Sequence, residues 1–302
     1  MQQKDNNRQE TAPEAQNDVI QEQGVQPSTE VHTREAGESK EKKKKNPTFI
    51  ILIVVIGVLI AAGAFLLGRM WYLKNADNND TGVEVYYSET SAAVRSGESK
   101  NAQVENPVDF ASLQEQNSEL YAWINVPGTR VNYPIAQSAS DDEFYLHHDY
   151  LKNYLFAGTP YTEFCNKKDF SDPITLVYGH NMYESEGTMF TTLHSFEDAA
   201  FFEEHDVFYI YMPKRKLTYR IFSAFKFDNR HIMNSYQFDI EPKDLEEFQN
   251  IMLSPHSSVK NVRSGVKLDK NSKVVVLSTC VSGDKSSRYL VCGVLEKDEP
   301  TK

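Results

Sequence analysis

The sequence predicts a mainly β domain with a helix at its start and another in a crossover, preceded by a single transmembrane helix. Three features of the chain point to it. The runs "ITLVYGH", "VFYIYMP", "LTYRIFSAFKF", "VVVLSTC" and "YLVCGVLEK" are short, rich in β-branched and aromatic residues, and separated by turn formers. Two segments carry helix signals instead, one after Asp109 and one in "EPKDLEEFQNIML". Finally "FIILIVVIGVLIAAGAFLLG", Phe49 to Gly68, holds no charge. At about 1.5 Å per residue, a helix of that length spans the ~30 Å hydrocarbon layer.

From the N-terminus, residues 1–46 are polar and contain no Phe, Trp or Tyr. Such a segment cannot bury enough apolar surface to offset its chain entropy, so it reads as a disordered tail. Lys42, Lys43, Lys44 and Lys45 precede the apolar run, whereas Asp77, Asp80 and Glu84 follow it. The stronger basic cluster stays in the cytoplasm, which places the tail inside and the rest of the chain outside. Trp71 and Tyr72 suit the outer interface. A cleaved signal peptide fits less well, because its apolar region is shorter and its leading segment is not this long.

Residues 75–106 read as a polar stalk with a short ordered piece at Val83–Tyr87, and the folded domain, 107–302, starts near Pro107. Asp109 caps a helix whose Phe110, Leu113, Leu120, Tyr121 and Ile124 share one face. Pro127-Gly128 makes a turn, after which Val131, Tyr133 and Ile135 alternate as a strand. A short helix is expected at Glu197–His205. In the crossover, Pro242 suits a first turn and Leu245, Phe248, Ile251 and Met252 form an apolar face.

The net charge of −11 speaks against nucleic acid as a partner, and the lysine run serves membrane topology better. Three cysteines, Cys165, Cys280 and Cys292, cannot all pair within one chain. No CxxC or Cys/His cluster suggests structural zinc, and no cofactor is expected.

Cys280 ends a valine-rich strand, and Arg288 follows it after a Ser-Gly-Asp turn, on an antiparallel neighbour. A thiol has an ordinary pKa near ~8.5 and needs a histidine or a cation to become a good nucleophile. Of the eight histidines, His147, His148, His205 and His256 sit in surface company. His180 differs: it follows Gly179 at the end of "ITLVYGH", also at a strand mouth. Taken alone, a strand-end cysteine among valines is more often packing, as is Cys292 in "LVCGV", and Cys165 is an incidental loop thiol. Residue pattern alone supports a Cys-His enzyme as one option and a packing cysteine as the other.

Together "VYGHN" (177–181), "LSTC" (277–280) and an arginine eight residues after the cysteine resemble the sortases, surface cysteine transpeptidases of Gram-positive bacteria. The family pattern is Thr-Leu-x-Thr-Cys; here Val276 stands at the first position. The opening helix, "PGTRVNYPI" and the crossover helix look like class B members, and the resemblance covers about residues 105–298. It implies an eight-stranded β-barrel whose groove binds a sorting signal of the Leu-Pro-x-Thr-Gly or Asn-Pro-x-Thr-Asn type. It further implies Cys280 as nucleophile, His180 as general acid and base, and Arg288 as oxyanion brace. The backbone N–H of Val281 is a second oxyanion donor by the same implication, and Ser278 and Thr279 lie where the peptide binds. The implied acceptor is an amine of a peptidoglycan precursor or of a pilin. Two alternatives stand beside it: a non-catalytic membrane-anchored surface domain, and a surface cysteine peptidase that only hydrolyses.

Overall fold

The computed structural model describes residues 52, 54–68, 86–87, 104–182 and 187–302. Residues 54–68 are helical, and among the described residues no helix is long and apolar enough to cross a membrane. The remainder of the Phe49–Gly68 run, the 1–46 tail and most of the 75–106 stalk lie outside the described residues.

Helix α1 (Phe110–Gln116) starts where expected, with the Asp109 side chain accepting from the Ser112 amide. It is shorter than the pattern suggested. Leu120, Tyr121 and Ile124, expected on its face, lie instead in strand β1 (Leu120–Asn125). Asn117 ends the helix and turns its side chain outward to the Tyr145 hydroxyl and the Tyr150 carbonyl. β1 is buried on both faces, so its apolar residues do not alternate and fall into a helical period by coincidence.

Strands β2 (Asn132–Ala136), β3 (Ile174–Tyr178), β6 (Val207–Met212), β7 (Arg215–Asp228), β9 (Val274–Val281) and β10 (Asp284–Pro300) match the predicted runs. With β8 (Lys260–Val262) they form an eight-stranded sheet in the order β2-β1-β6-β7-β10-β9-β3, β8 pairing β7. β4 (Asn181–Met182) and β5 (Thr188–Met189) pair as a separate two-stranded sheet. Of the expected eight-stranded barrel, the structure shows eight strands in one curled, half-barrel sheet whose strand path is open. Among the described residues its two edges are joined through segment 160–162: the Ala136 amide donates to the Pro160 carbonyl and the Thr162 amide to the Ala136 carbonyl, while Tyr161 and Tyr178 exchange backbone hydrogen bonds.

The two faces of β9 pack against different things. Val275 and Leu277 enter the interior cluster with Val177, Phe208 and Val291. Val274 and Val276 face outward and are covered by Phe248 and Met252 of α4 (Pro242–Leu253). Phe248 is fully buried, and burial of a ring of that size is worth about 1.5–3 kcal/mol. α2 (Ala199–Glu204) and α3 (Ile232–Ser235) complete the helices of this body. The crossover from β3 to β9 is what makes that pair parallel, whereas the other neighbours in the sheet are antiparallel.

Candidate active site

Three strand ends converge on one face. Tyr178 of β3 pairs with Ser278 of β9, and the Gly179 amide donates to the Ser278 carbonyl at 3.1 Å. The ladder ends there, and His180, two residues beyond Tyr178, borders the same cavity as Cys280. On the other side of β9, Arg288 is the direct partner of Cys280. Residues directly opposite in a pair point to the same side, and alternate residues of a strand do too. Cys280 and Arg288 thus share the face that carries Val276 and Leu290, with His180 just beyond the end of β3. All three line a cavity of about 210 Å³ with Glu163, Tyr178 and His231.

Ser278 shares the Cys280 face, and both Ser278 and Thr279 border the cavity. Thr279 has the opposite parity, with Leu277 and Tyr289 in the interior cluster, and its hydroxyl is buried without a partner among the described residues. Val281 pairs with Asp284 across the Ser282-Gly283 turn, where Gly283 takes φ 74° at no steric cost. Carbonyl direction alternates along a strand, so the Val281 amide is directed toward β10, the strand that carries Arg288.

His180 is held from two sides. Its Nε2 lies 2.9 Å from the Leu146 carbonyl, which can only accept, so Nε2 carries the hydrogen and Nδ1 is left to exchange a proton. The ring stacks on Phe156 (centroids 5.3 Å apart) and His147 (5.5 Å). Burial holds its pKa below the ordinary imidazole value, the Leu146 bond opposes this, and His147 adds to it. The neutral ring, the form that can act as a base, is therefore favoured near neutral pH. The turn that offers Leu146 is braced by Tyr145, whose hydroxyl donates to Glu119 at 2.6 Å, while Lys152 pairs with the same carboxylate at 2.9 Å.

Arg288 donates to the Ser287 carbonyl at 3.1 Å and makes no ion pair among the described residues. Most of its five donors are open to a ligand. The three residues before it bulge out of the β9–β10 register, and Asp284 gathers that bulge. It accepts from the Ser286 amide, both serine hydroxyls and Lys226, and these contacts, Lys226 foremost, hold its carboxyl well below the usual range.

The cavity's far wall was not legible as a site. His231 Nε2 meets Glu163 at 2.7 Å and ties the β7–α3 connection to the 160–166 loop. Burial pushes the Glu163 carboxyl up, against the His231 contact. His147, expected in surface company, instead stacks on His180, and Leu146 acts through its backbone, which no side-chain pattern signals.

Cys280 and Cys165 are both exposed and Cys292 is fully buried. Partial burial of the Cys165 sulfur and then Glu163 push its thiol up to about 12. Burial alone also raises Cys292. Iodoacetamide near neutral pH should therefore modify Cys280 first, with peptide mapping as the readout. Faster labelling of Cys165 would contradict this reading of the three thiols.

A family model for the sortase domain matches residues 124–296, more than half of the chain. Sortase B of Listeria monocytogenes is 27% identical over 233 residues, covering 76% of this chain and 88% of that protein. The chain belongs to the sortase family, in its class B branch. Sortases are cysteine transpeptidases that anchor or link surface proteins, and the exposed Cys280 on a cavity shared with His180 suits this chemistry. Among solved structures, Clostridium perfringens sortase B superposes with TM-score 0.56 at 26% identity, covering 63% of this sortase and all of that chain. A Streptococcus pyogenes class B sortase involved in pilus biogenesis gives TM-score 0.53 at 31% identity, covering 63% and 98% of the two chains.

Proposed function

We propose that this sortase cleaves a C-terminal sorting signal of the Leu-Pro-x-Thr-Gly or Asn-Pro-x-Thr-Asn type after Thr and transfers the protein to an amine of the cell wall or of a pilin. The observation that supports it most is the single cavity face shared by His180, Cys280 and Arg288. His180 takes the proton of the Cys280 thiol, and the thiolate adds to the Thr carbonyl carbon. The oxyanion so formed is met by the Arg288 guanidinium, which pairs with no carboxylate among the described residues. Collapse breaks the peptide bond, His180 protonates the leaving amine, and a thioester remains. The acceptor amine then attacks the thioester, giving its proton to His180 and releasing the Cys280 sulfur. The Streptococcus pyogenes relative's part in pilus biogenesis favours keeping a pilin amine among the acceptors.

The test is cleavage of a library of Thr-containing peptides by the purified full-length chain, with and without an added amine. Cleavage after Thr with a ligated product is expected. Cleavage that yields only the free acid at saturating amine would make it a hydrolase.

We further propose that Phe49–Gly68 anchors this domain outside the membrane with the tail in the cytoplasm, from the uncharged run and Lys42–Lys45. Protease added to intact cells should digest residues 107–302 and spare 1–46. A protected domain and a cleaved tail would invert the orientation.

A further inference from the structure

Beyond the three residues that meet substrate, the nucleophile is held by groups on its carbonyl side. Asn181 Nδ2 donates to the Cys280 carbonyl at 2.9 Å and to the Ser282 hydroxyl at 3.1 Å. His194 Nε2 reaches the same carbonyl at 3.0 Å, while its Nδ1 meets Glu197 at 2.6 Å. Its ring stacks on Tyr289, with centroids 4.8 Å apart. The same Nε2 also lies 3.3 Å from the Asn181 Nδ2.

The position of Asn181 gives this clamp its meaning. The β3–β9 ladder ends with the Gly179 amide on the Ser278 carbonyl. Two residues on, a continued parallel ladder would bring the backbone N–H of residue 181 to the Cys280 carbonyl. The chain does otherwise. At Gly179 a Cβ would lie 2.6 Å from the Phe190 ring, and the Phe190 amide instead takes the His180 carbonyl at 2.9 Å. The backbone turns away to pair with β5, and the Asn181 side chain supplies the donor that its backbone no longer can. One residue is thus joined covalently to the base and by a hydrogen bond to the nucleophile's own carbonyl.

We propose that Asn181, backed by the His194–Glu197 pair, is a positioning residue that sets the spacing between His180 and Cys280 while the backbone between them leaves the sheet. It touches neither the thiol nor the substrate. This rests on the transpeptidase reading above for its kinetic test but has a substrate-free arm as well.

In full-length protein, Asn181→Ala and Asn181→Asp should lower kcat on the cleaved fluorogenic Thr-Gly or Thr-Asn peptide about 10–100-fold, as misplacement of a catalytic group does, with KM within about threefold. His194→Gln keeps a donor and should retain most activity, whereas His194→Ala should not. The double variant Asn181→Ala/His194→Ala should lose more than the two singles multiplied, because each single leaves one donor on the carbonyl. Without substrate, Asn181→Ala should alkylate at Cys280 more slowly than wild type and at the rate of His180→Ala. Native-like kcat and alkylation in Asn181→Ala would overturn the proposal. So would a parallel loss of melting temperature, KM and kcat in all variants, which describes packing alone. If neither peptide is cleaved, the substrate reading fails and the alkylation rates still decide the clamp.

Discussion

Cys280→Ala is expected to abolish both cleavage and thioester formation, while Cys165→Ala and Cys292→Ala remain active. The three thiols differ in surroundings rather than in chemistry. Cys280 is exposed at a strand end, paired with Arg288 and on one cavity with His180. Cys165 sits on the 160–166 loop, 3.7 Å from the Glu163 carboxylate, which disfavours its thiolate. Cys292 is fully buried in the outer cluster beneath α4 and reaches no solvent. Its loss removes a small hydrophobe, and a destabilisation on the order of 1 kcal/mol is expected in thermal melts. Mass spectrometry of the enzyme mixed with peptide should show the acyl adduct in wild type and in the other two variants. An active Cys280→Ala protein would remove the mechanism altogether.

His180→Ala and Arg288→Ala are the next largest effects, and they fail differently. Without His180 neither the leaving amine nor the incoming one has a partner for its proton, and the thiol loses its base, so turnover should nearly cease. Without Arg288 the nucleophile and base remain but the oxyanion loses a charge-assisted donor. Single donors of that kind are worth about 3–4 kcal/mol, or roughly 10²–10³ in rate. Arg288→Lys keeps the charge without the planar fork and should restore only part of it. Single-turnover cleavage, after each variant is shown to be folded, separates the three. Arg288→Ala with wild-type rates would make Arg288 a bystander and leave His180 and Cys280 to carry the reaction.

The strands that bear the site were legible because their evidence is local. "ITLVYGH", "VVVLSTC" and "YLVCGVLEK" are apolar, β-branched and bounded by turn formers, and each became a strand within a few residues of its expected limits. The Ser-Gly-Asp turn made β9 and β10 neighbours, so Arg288 could be set next to Cys280 before any coordinates. Segment 120–125 misled for an equally local reason. Its apolar residues are buried on both faces, and a strand of that kind leaves no period of two to read.

By itself, then, the sequence determined the reactive residue types, their strand-end placement, the antiparallel Cys–Arg pair and the family. The tertiary structure alone decided that β3 lies parallel to β9, which brings the strand end that carries His180 to the cavity of Cys280, since that pairing spans a crossover with no local signal. It also decided how the curled sheet meets at Tyr161, and which groups lie against His180 and Cys280: the Leu146 carbonyl on the one, the Asn181 amide and His194 on the other. These act through backbone atoms or through residues far apart in the chain. Their roles come from where the fold puts them, because a carbonyl is the same in every residue and a histidine's two nitrogens take their partners from whatever packs against the ring.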